Sequence, residues 1–364
     1  MIIRITLKEW AQLFLVLLMA TVLAACGDAI ELTTTENSQP EPEVSLGYAR
    51  INESNENDPL DTHIYELDNG LQVYLTENHE EPRFYAEIAV RAGSKHDPAD
   101  GTGLAHYLEH LLFKGNENLG TLDYEAEKPY LDEIVELYEQ HFVETDEDRR
   151  AEIYSEINRV AQQAAEFAVP NEIDKLYNSM GGSGLNAHTW YEETVYKVGL
   201  PSNRLHQWAE IESDRFVNPV FRLFHTELET VYEEKNRSID NKDRLLQREV
   251  NNLLFKVHPY GQQPTLGSIE HLKNPSIKAI EEFYAKHYVP ENMAICISGD
   301  IDPEQAIALD DLWRHLRQGQ PQTGEYRHRT QDGATLWLQS SFIPVSDDTG
   351  QLQKVVCFAR DVTH

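Results

Sequence analysis

The sequence contains few cysteines. Its 364 residues include three, and one of them, Cys26, follows an apolar N-terminal run. Small domains that depend on disulfides carry many more cysteines for their length, so Cys296 and Cys357 cannot provide a disulfide framework. A hydrophobic core must therefore stabilise the fold. Both remaining cysteines lie in apolar, strand-like runs, where core residues are expected.

Basic residues are scarce relative to acidic ones. The chain has 31 lysines and arginines against 62 aspartates and glutamates, for a net charge of −31. Nucleic-acid phosphates would be repelled by this charge, so the composition excludes nucleic acid as a partner. Much of the acidity falls on predicted helical surfaces and in a polar N-terminal segment, which indicates solvated surface. A preference for basic peptides is the weaker alternative.

Long apolar runs are missing except near the start of the chain. Arg4 and Lys8 precede an apolar run at 10–25, which is shorter than the roughly 20 residues of a permanent membrane span. The run ends in small residues before Cys26-Gly27, which resembles the lipobox of bacterial lipoproteins, whose cysteine becomes lipidated. An ordinary signal peptide with a nearby free cysteine is the alternative. Both readings predict export, and the lipobox predicts a periplasmic chain anchored to a membrane through Cys26.

The segment that follows is polar and rich in Glu, Asp, Asn, Ser, Thr and Pro. Such a composition cannot bury enough apolar surface to order itself. We therefore expect a signal peptide at 1–25 and a disordered tether at 26–61, which would hold the folded domain away from the membrane.

The strongest chemical signal is His106-Tyr107-Leu108-Glu109-His110. Leucines recur at helical spacing through 103–115, so the segment is predicted to be a helix. His106 and His110 then project from one face, one turn apart, where they can share a Zn²⁺ ion. Glu109 can reach a metal-bound water as a general base. The order is that of the inverted zincin motif; the alternative is a half-buried helix with two incidental histidines.

The rest of the body alternates between strands and helices. Asp68-Asn69-Gly70 separates two alternating runs and predicts a hairpin. A helical hairpin is predicted within 124–179. The other predicted elements are strands at 84–90, 185–190, 194–198 and 293–298, the last of them central, and helices at about 203–216, 227–239, 244–255 and 276–287. Hairpins without regular β-α-β alternation indicate an α+β fold, with a mostly antiparallel sheet packed with helices.

Two histidines and a water do not complete a zinc site, so a carboxylate is expected on a neighbouring helix. Thr226-Glu-Leu-Glu fits a capping box, which predicts a helix beginning at Thr226. Glu227, Val231 and Glu234 then lie on one stripe. Two acids around a valine are unusual on a core-facing stripe, and they are explained if Glu234 binds the metal and Glu227 supports the site. The alternative is that both acids face solvent.

Several segments together carry a family resemblance. These are the His106–His110 motif, Leu185-Asn186-Ala187-His188-Thr189, the run from Glu227 to Glu234, His258-Pro259-Tyr260-Gly261 and Ser298-Gly299-Asp300. In this order they resemble the insulinase/pitrilysin family of zinc metallopeptidases, over about 63–308.

The resemblance implies a zinc metalloendopeptidase and assigns roles to residues. It implies that His106, His110 and Glu234 are the zinc ligands, with Glu109 as the base. Glu233 is the adjacent competitor for the third ligand, and the family's Glu-x6-Glu pattern from Glu227 favours Glu234. Glu227 matches the family's second acid near the site, and we count it as catalytic. Asn186 and Ala187 match the edge segment that holds a peptide or unfolded-protein substrate by strand addition.

The chain departs from the family in two respects within the body. A helical insertion at about 124–179 separates His110 from Glu234. Family enzymes also work as two related halves, and the chain shows no internal repeat of the first half after residue 310. A second half-module acting in trans is therefore a possible partner. The alternative function is a zinc-containing, peptide-binding half-module with little activity of its own.

The last segment differs in character from the peptidase-like body at 62–309. Residues 310–364 predict a three-strand meander that resembles the closing strands of a PAS sensor domain. The helices and pocket of such a domain are missing, so no PAS cofactor is expected, and this argues against a sensor function. A fusion or truncation junction is expected near Leu309. The alternative is a divergent end of the peptidase module.

Overall fold

A computed structural model describes residues 47–53 and 57–307 in full, together with the backbone of three strands within 322–361. The predicted signal peptide, Cys26, most of the tether and the expected junction near Leu309 lie outside the described residues. Within the predicted tether, Tyr48–Arg50 form a strand paired with the sheet, so the prediction of disorder up to residue 61 is wrong. Among the described residues, every helix is too short or too polar to cross a bilayer.

A seven-stranded sheet forms the centre of the fold, in the order β1-β2-β3-β7-β4-β6-β5. Its strands are β1 Tyr48–Arg50, β2 His63–Leu67, β3 Gln72–Glu77, β4 Arg83–Val90, β5 Ser183–Thr189, β6 Thr194–Pro201 and β7 Met293–Gly299. Strands β3 and β7 are parallel, and the other neighbours are antiparallel. The predicted central strand is confirmed, and β5 forms one edge of the sheet.

The hairpin of β2 and β3 is built as its turn residues predict. Leu67 accepts a hydrogen bond from the Gly70 N–H over 2.8 Å and donates its own N–H to Leu71 over 2.9 Å. Gly70 has a φ of +84°, and a Cβ at this position would lie 3.0 Å from the Glu291 Cβ. Both the backbone conformation and the close neighbour therefore favour glycine at this position.

Helices cover one face of the sheet. In β4, Phe84, Ala86, Ile88 and Val90 are buried against them, whereas Tyr85 on the other face is exposed. The helices are α1 Leu104–Leu111, α2 Tyr124–Val143, α3 Glu147–Ala165, α4 Glu172–Ser179, α5 Leu205–Val217, α6 Phe224–Ile239, α7 Lys242–Leu254, α8 Pro259–Gln262, α9 Ile269–Leu272 and α10 Ile277–His287. The predicted α+β class, a mostly antiparallel sheet packed with helices, is confirmed.

Four local predictions require correction. The predicted helical hairpin is a pair, α2 and α3, followed by a third helix, α4. Helix α6 begins at Phe224 instead of Thr226 and has no side-chain cap, because burial of Phe224 draws its start into the core. The short helix α8, whose N-cap is His258, is not among the predicted elements. The helix predicted through 103–115 ends at Leu111, so Lys114 lies beyond the end of α1.

The tail contains the predicted meander. Strands β8 Gln322–Arg329, β9 Thr335–Ser346 and β10 Leu352–Asp361 form an antiparallel sheet in the order β10-β9-β8. The three strands are consecutive in sequence and adjacent in space, which is the arrangement that the alternating pattern and turn residues predict.

Candidate active site

The N-terminus of α1 is held by a residue that precedes the helix. The Asp97 carboxylate accepts hydrogen bonds from the N–H groups of Gly103 over 2.7 Å and Ala105 over 2.9 Å. Burial raises the pKa of Asp97 to about 7, although these N–H groups act in the opposite direction. Gly103 has a φ of +91°, and a Cβ there would lie 2.8 Å from the Cα of Gly267. The start of α1 is therefore fixed against the 264–268 segment.

Helices α1 and α6 bring three potential metal ligands together. Glu234 Oε2 lies 3.5 Å from His106 Nε2 and 3.7 Å from His110 Nε2. One ligand atom from each residue lies within 4.8 Å of the other two. Ligand atoms at tetrahedral zinc are roughly 3.3 Å apart, given metal–ligand distances of about 2.1 Å. The donor set and its spacing therefore fit a zinc ion.

The alternative carboxylate ligand, Glu233, lies away from this cluster. Its side chain is 70% exposed, and its Oε2 lies 3.3 Å from Arg237 Nη2 on the solvent side of α6. The geometry thus brings Glu234, and not Glu233, to the two imidazoles.

The two histidines have different electrostatic surroundings. Burial, followed by the nearby His110, lowers the pKa of His106 to about 3, which keeps its imidazole neutral. Burial alone would also lower the pKa of His110, but the Glu227 hydrogen bond and the charges of Glu234, Glu109 and Glu227 raise it. Neutral imidazole is the form that binds a metal, so metal binding competes with protonation of His110.

Glu109 is buried beside the cluster, with 7% of its surface exposed. The Thr189 hydroxyl donates to its Oε2 over 2.6 Å. Burial raises the pKa of Glu109, and the Thr189 hydrogen bond partly opposes this rise. A carboxylate whose pKa is shifted toward neutrality is suited to accept and return a proton.

Glu227 supports the cluster from the first turns of α6. Its Oε2 lies 3.4 Å from His110 Nδ1, and its Oε1 lies 2.6 Å from Lys114 Nζ. Burial alone would raise the pKa of Glu227, but the contacts with His110 and Lys114 lower it below its usual value. A carboxylate on the second ring nitrogen orients a metal-binding histidine and increases its basicity. Glu227 therefore contacts a candidate ligand and is not itself part of the cluster.

The Arg222 side chain, just before α6, forms a buried ion pair with α2 and also contacts the loop after α1. The Arg222 guanidinium is 1% exposed and bonds the Glu127 carboxylate of α2 at 3.1 and 3.3 Å. It also donates to the carbonyl groups of Lys114, Asn116 and Leu119, over 2.7 to 2.8 Å. A single side chain therefore fixes the distance between the two helices that carry the cluster.

The cluster opens into a cleft of about 780 Å³ between β5 and α7. Strand β5 is an edge strand, so one row of its backbone groups is unpaired within the sheet. Asn186 lies on β5 with an exposed side chain, and Ala187 is half-buried and contacts the core. Both residues line the cleft beside the candidate ligands.

Sequence reasoning missed three residues that shape this site. Thr189, Lys114 and Arg222 each act through a partner distant in sequence, namely Glu109, Glu227 and Glu127. Thr189 is also the last residue of an edge strand, where threonine is common. No local pattern marks these positions, and only the packing of α1, α2, β5 and α6 brings the pairs together.

The fold and the placement of the site resemble those of a class of protein, the α+β half-modules of zinc peptidases. Residues 72–132 and 157–266 match the family described as insulinase, peptidase family M16. Over these residues the chain is similar to the insulinase family. The match is interrupted within the hairpin of α2 and α3, where the sequence predicts an insertion.

Known relatives carry the name of zinc protease. The chain is 27% identical over 278 residues to a probable zinc protease, PqqL, from Haemophilus influenzae, and the aligned region is 74% of this chain and 25% of that protein. It is 26% identical over 261 residues to an uncharacterized zinc protease from Rickettsia bellii, covering 71% and 51% of the two chains. It thus spans about a quarter to a half of the length of these relatives.

Solved structures share the fold. The first half of the periplasmic protease PqqL from Escherichia coli superposes with a TM-score of 0.51 and 21% identity, covering 72% of this chain and 46% of that chain. A protease from Helicobacter pylori superposes with a TM-score of 0.52 and 21% identity, covering 69% and 49%. The predicted half-module fold is confirmed.

The tail matches a different family. Residues 301–359 match the model of the PAS fold, which confirms the resemblance predicted for the meander. The position of the junction between the two parts remains a prediction.

Proposed function

We propose that the chain is an exported zinc metalloendopeptidase module. The observation that carries this proposal is the convergence of His106, His110 and Glu234 from two helices, with their ligand atoms within 4.8 Å of one another. Glu109 lies on the same helix as the imidazoles, buried and next to the cleft. The zinc-protease names of the relatives agree with this combination.

The chain's own residues divide the work of peptide hydrolysis. A zinc ion held by the three ligands would polarise the scissile carbonyl and lower the pKa of a coordinated water. Glu109 would take the proton from the attacking water and deliver it to the leaving amine. Thr189 would keep the carboxylate of Glu109 oriented, because its hydroxyl donates to Oε2. Glu227 would hold His110 in its ligating orientation.

The substrate is proposed to be a peptide or an unfolded protein bound in extended form. The free edge of β5 offers backbone donors and acceptors that can pair with such a strand. Asn186 and Ala187 would lie at the pairing edge, adjacent to the metal ligands.

The proposed location is the bacterial periplasm, with a lipid anchor at Cys26. The small residues before this cysteine and the polar segment after it support the proposal. A tether of this kind would leave the cleft accessible to peptides near the membrane surface. Labelling with a fatty-acid analogue, lost in a Cys26→Ala variant, tests the anchor independently of catalysis.

Hydrolysis and metal content of the purified chain test the proposed mechanism together. A Glu109→Gln variant should retain about one zinc ion per chain and hydrolyse quenched fluorescent peptides about 10²- to 10⁴-fold more slowly. A Glu234→Gln variant should lose both zinc and hydrolysis. The matched control is Glu233→Gln, since Glu233 neighbours Glu234 and faces solvent. Wild-type rates in Glu109→Gln, or full zinc in Glu234→Gln, would contradict the assignment.

A second candidate function is a zinc-containing peptide-binding half-module that needs a partner half for activity. The relatives are two to four times longer than the matched region. Helix α7 also exposes an apolar stripe of Leu246, Val250 and Leu253, which a partner half-module could cover. This function predicts zinc and peptide binding by the isolated chain, and hydrolysis only when a second half-module of a relative is added in trans.

A further inference from the structure

The wall of the cleft opposite β5 carries two arginines on one helix face. Arg244 and Arg248 are four residues apart on α7 and therefore lie one turn apart. Both line the cleft that contains the candidate zinc ligands and β5. An extended peptide between β5 and α7 would therefore pass in front of these two guanidinium groups.

Within the part of the chain that the structure describes, these two arginines lack strong partners. Among the residues that the structure describes, the Arg244 side chain makes no hydrogen bond or ion pair. Arg248 Nη2 lies 3.6 Å from Glu249 Oε1, in a pair whose members are 41% and 60% exposed. Exposed pairs of this kind contribute little and exchange readily with other anions. Both guanidinium groups are therefore available to a ligand.

The other cations of the cleft are already engaged. Lys114 pairs with Glu227 at 2.6 Å, and the Lys235 ammonium donates to the Gly267 carbonyl. The acids that line the cleft are the three glutamates at the zinc cluster and Asp174 of α4. Positive charge without a partner is thus concentrated on the α7 wall, in a chain whose net charge is −31.

We propose that Arg244 and Arg248 form a subsite for acidic side chains, so that the module prefers peptides with Asp or Glu close to the scissile bond. This inference depends on the proposed peptidase function and names its substrate class. Arginine binds carboxylates with paired N–H donors, and two arginines one turn apart can bind one carboxylate from two sides. The net charge of the chain would by itself favour basic peptides. The two arginines on α7 would instead favour acidic side chains at this position in the cleft.

Matched peptides measure the preference directly. A quenched fluorescent peptide is synthesised with Glu, Gln or Lys at each of three positions on either side of one cleavable bond. In wild type, kcat/KM should be about three- to tenfold higher for Glu than for Gln at one or more positions. The double variant Arg244→Gln/Arg248→Gln should lower this ratio to about one. Salt at about 1 M should also reduce the wild-type ratio, because it screens charge.

A control removes the same charge from outside the cleft. Arg237 on α6 and Lys242 at the start of α7 do not line the cleft, so Arg237→Gln/Lys242→Gln should leave the ratio unchanged. Charge reversal in Arg244→Glu/Arg248→Glu should make the Lys peptide the better substrate. A wild-type ratio of one, or an equal loss of preference in the control, would overturn the proposal.

A binding measurement separates this proposal from the peptidase function. The same peptides are titrated by fluorescence anisotropy against the zinc-loaded Glu109→Gln variant. If this variant holds zinc and binds the Glu and Gln peptides with equal Kd, the arginine subsite is refuted and the peptidase function stands. If the chain binds neither zinc nor any peptide, the result contradicts the peptidase function itself, and with it the arginine subsite that depends on it.

Discussion

Two helices that line the cleft, α1 and α7, are built in opposite ways. On one side, seven of the eight residues of α1 are buried, including His106 and Glu109. On the other side, none of the thirteen residues of α7 is buried. The proposed metal binding requires ligand atoms that are fixed to within a fraction of an ångström. Core packing with buried hydrogen bonds provides that precision. Recognition of variable peptides requires only an accessible surface of suitable charge.

The attachments of the two walls differ in the same way. The α1 wall is joined to the core by Asp97, Arg222 and the Tyr107 hydroxyl, which donates to the Phe224 carbonyl. The α7 wall is held near its end by one side-chain hydrogen bond, from Asn251 Nδ2 to the Tyr191 hydroxyl over 2.9 Å. We therefore expect substitutions on the α1 side to affect stability and metal binding, and substitutions on α7 to affect selectivity.

The largest expected effect is at the buried ion pair. Arg222→Ala leaves the Glu127 carboxylate buried without its partner and removes the Arg222 donors from the carbonyl groups of Lys114, Asn116 and Leu119. Of these three, the Leu119 carbonyl keeps a hydrogen bond from the Asn116 N–H. The free energy of unfolding should fall by about 3–5 kcal/mol, as measured by urea denaturation. Arg149→Ala is the matched control, because Arg149 pairs with Glu152 on the surface of α3, and its loss should cost no more than about 1 kcal/mol. Equal losses of unfolding free energy in the two variants would show that the buried pair stabilises the fold no more than the surface pair does.

An intermediate effect is expected at Glu227. Glu227→Gln keeps the shape of the side chain but removes the charge that faces His110 and Lys114. Zinc affinity should fall about 10- to 100-fold in competition with a chelator. Glu229→Gln, an exposed position on the same helix, should leave zinc affinity unchanged. A wild-type affinity in Glu227→Gln would show that His110 is oriented without this carboxylate.

The smallest expected effect is on α7. Leu246 is 66% exposed, so Leu246→Ala should change the free energy of unfolding by less than about 0.5 kcal/mol. The matched change in the neighbouring helix, Leu228→Ala, affects a residue that is 8% exposed and should cost about 2–5 kcal/mol. Thermal and urea unfolding of both variants measure the difference. A large loss in Leu246→Ala would mean that α7 packs more tightly than its exposure indicates.

The sequence predicted those parts of the molecule that depend on local pattern. The spacing of His106 and His110 fixes their common helix face, and the alternation in 84–90 identifies the buried face of β4. Glu234 could be selected over Glu233 from the family pattern, and the geometry agrees. The start of α6 could not be predicted, because burial of Phe224 outweighs the capping-box signal at Thr226.

Contacts between distant segments were beyond local reasoning. The Arg222–Glu127 pair joins residues on either side of α3, α4, β5, β6 and α5. The net charge of the chain was also a poor guide to substrate preference, because it does not say which charged residues line the cleft. Side-chain partners separated by many elements depend on the completed fold and not on periodicity.

The position of β7 has a consequence for biosynthesis. Strands β3 and β4 are consecutive in sequence, yet β7 lies between them and pairs with both. During synthesis, the first six strands therefore emerge with a gap at the middle of the sheet, which closes only when residues 293–299 become available. Chains that stop earlier would present two unpaired inner strands and would be exposed to aggregation and degradation. A nascent chain would thus complete the sheet that supports its candidate metal site only after residues 293–299 have been synthesised.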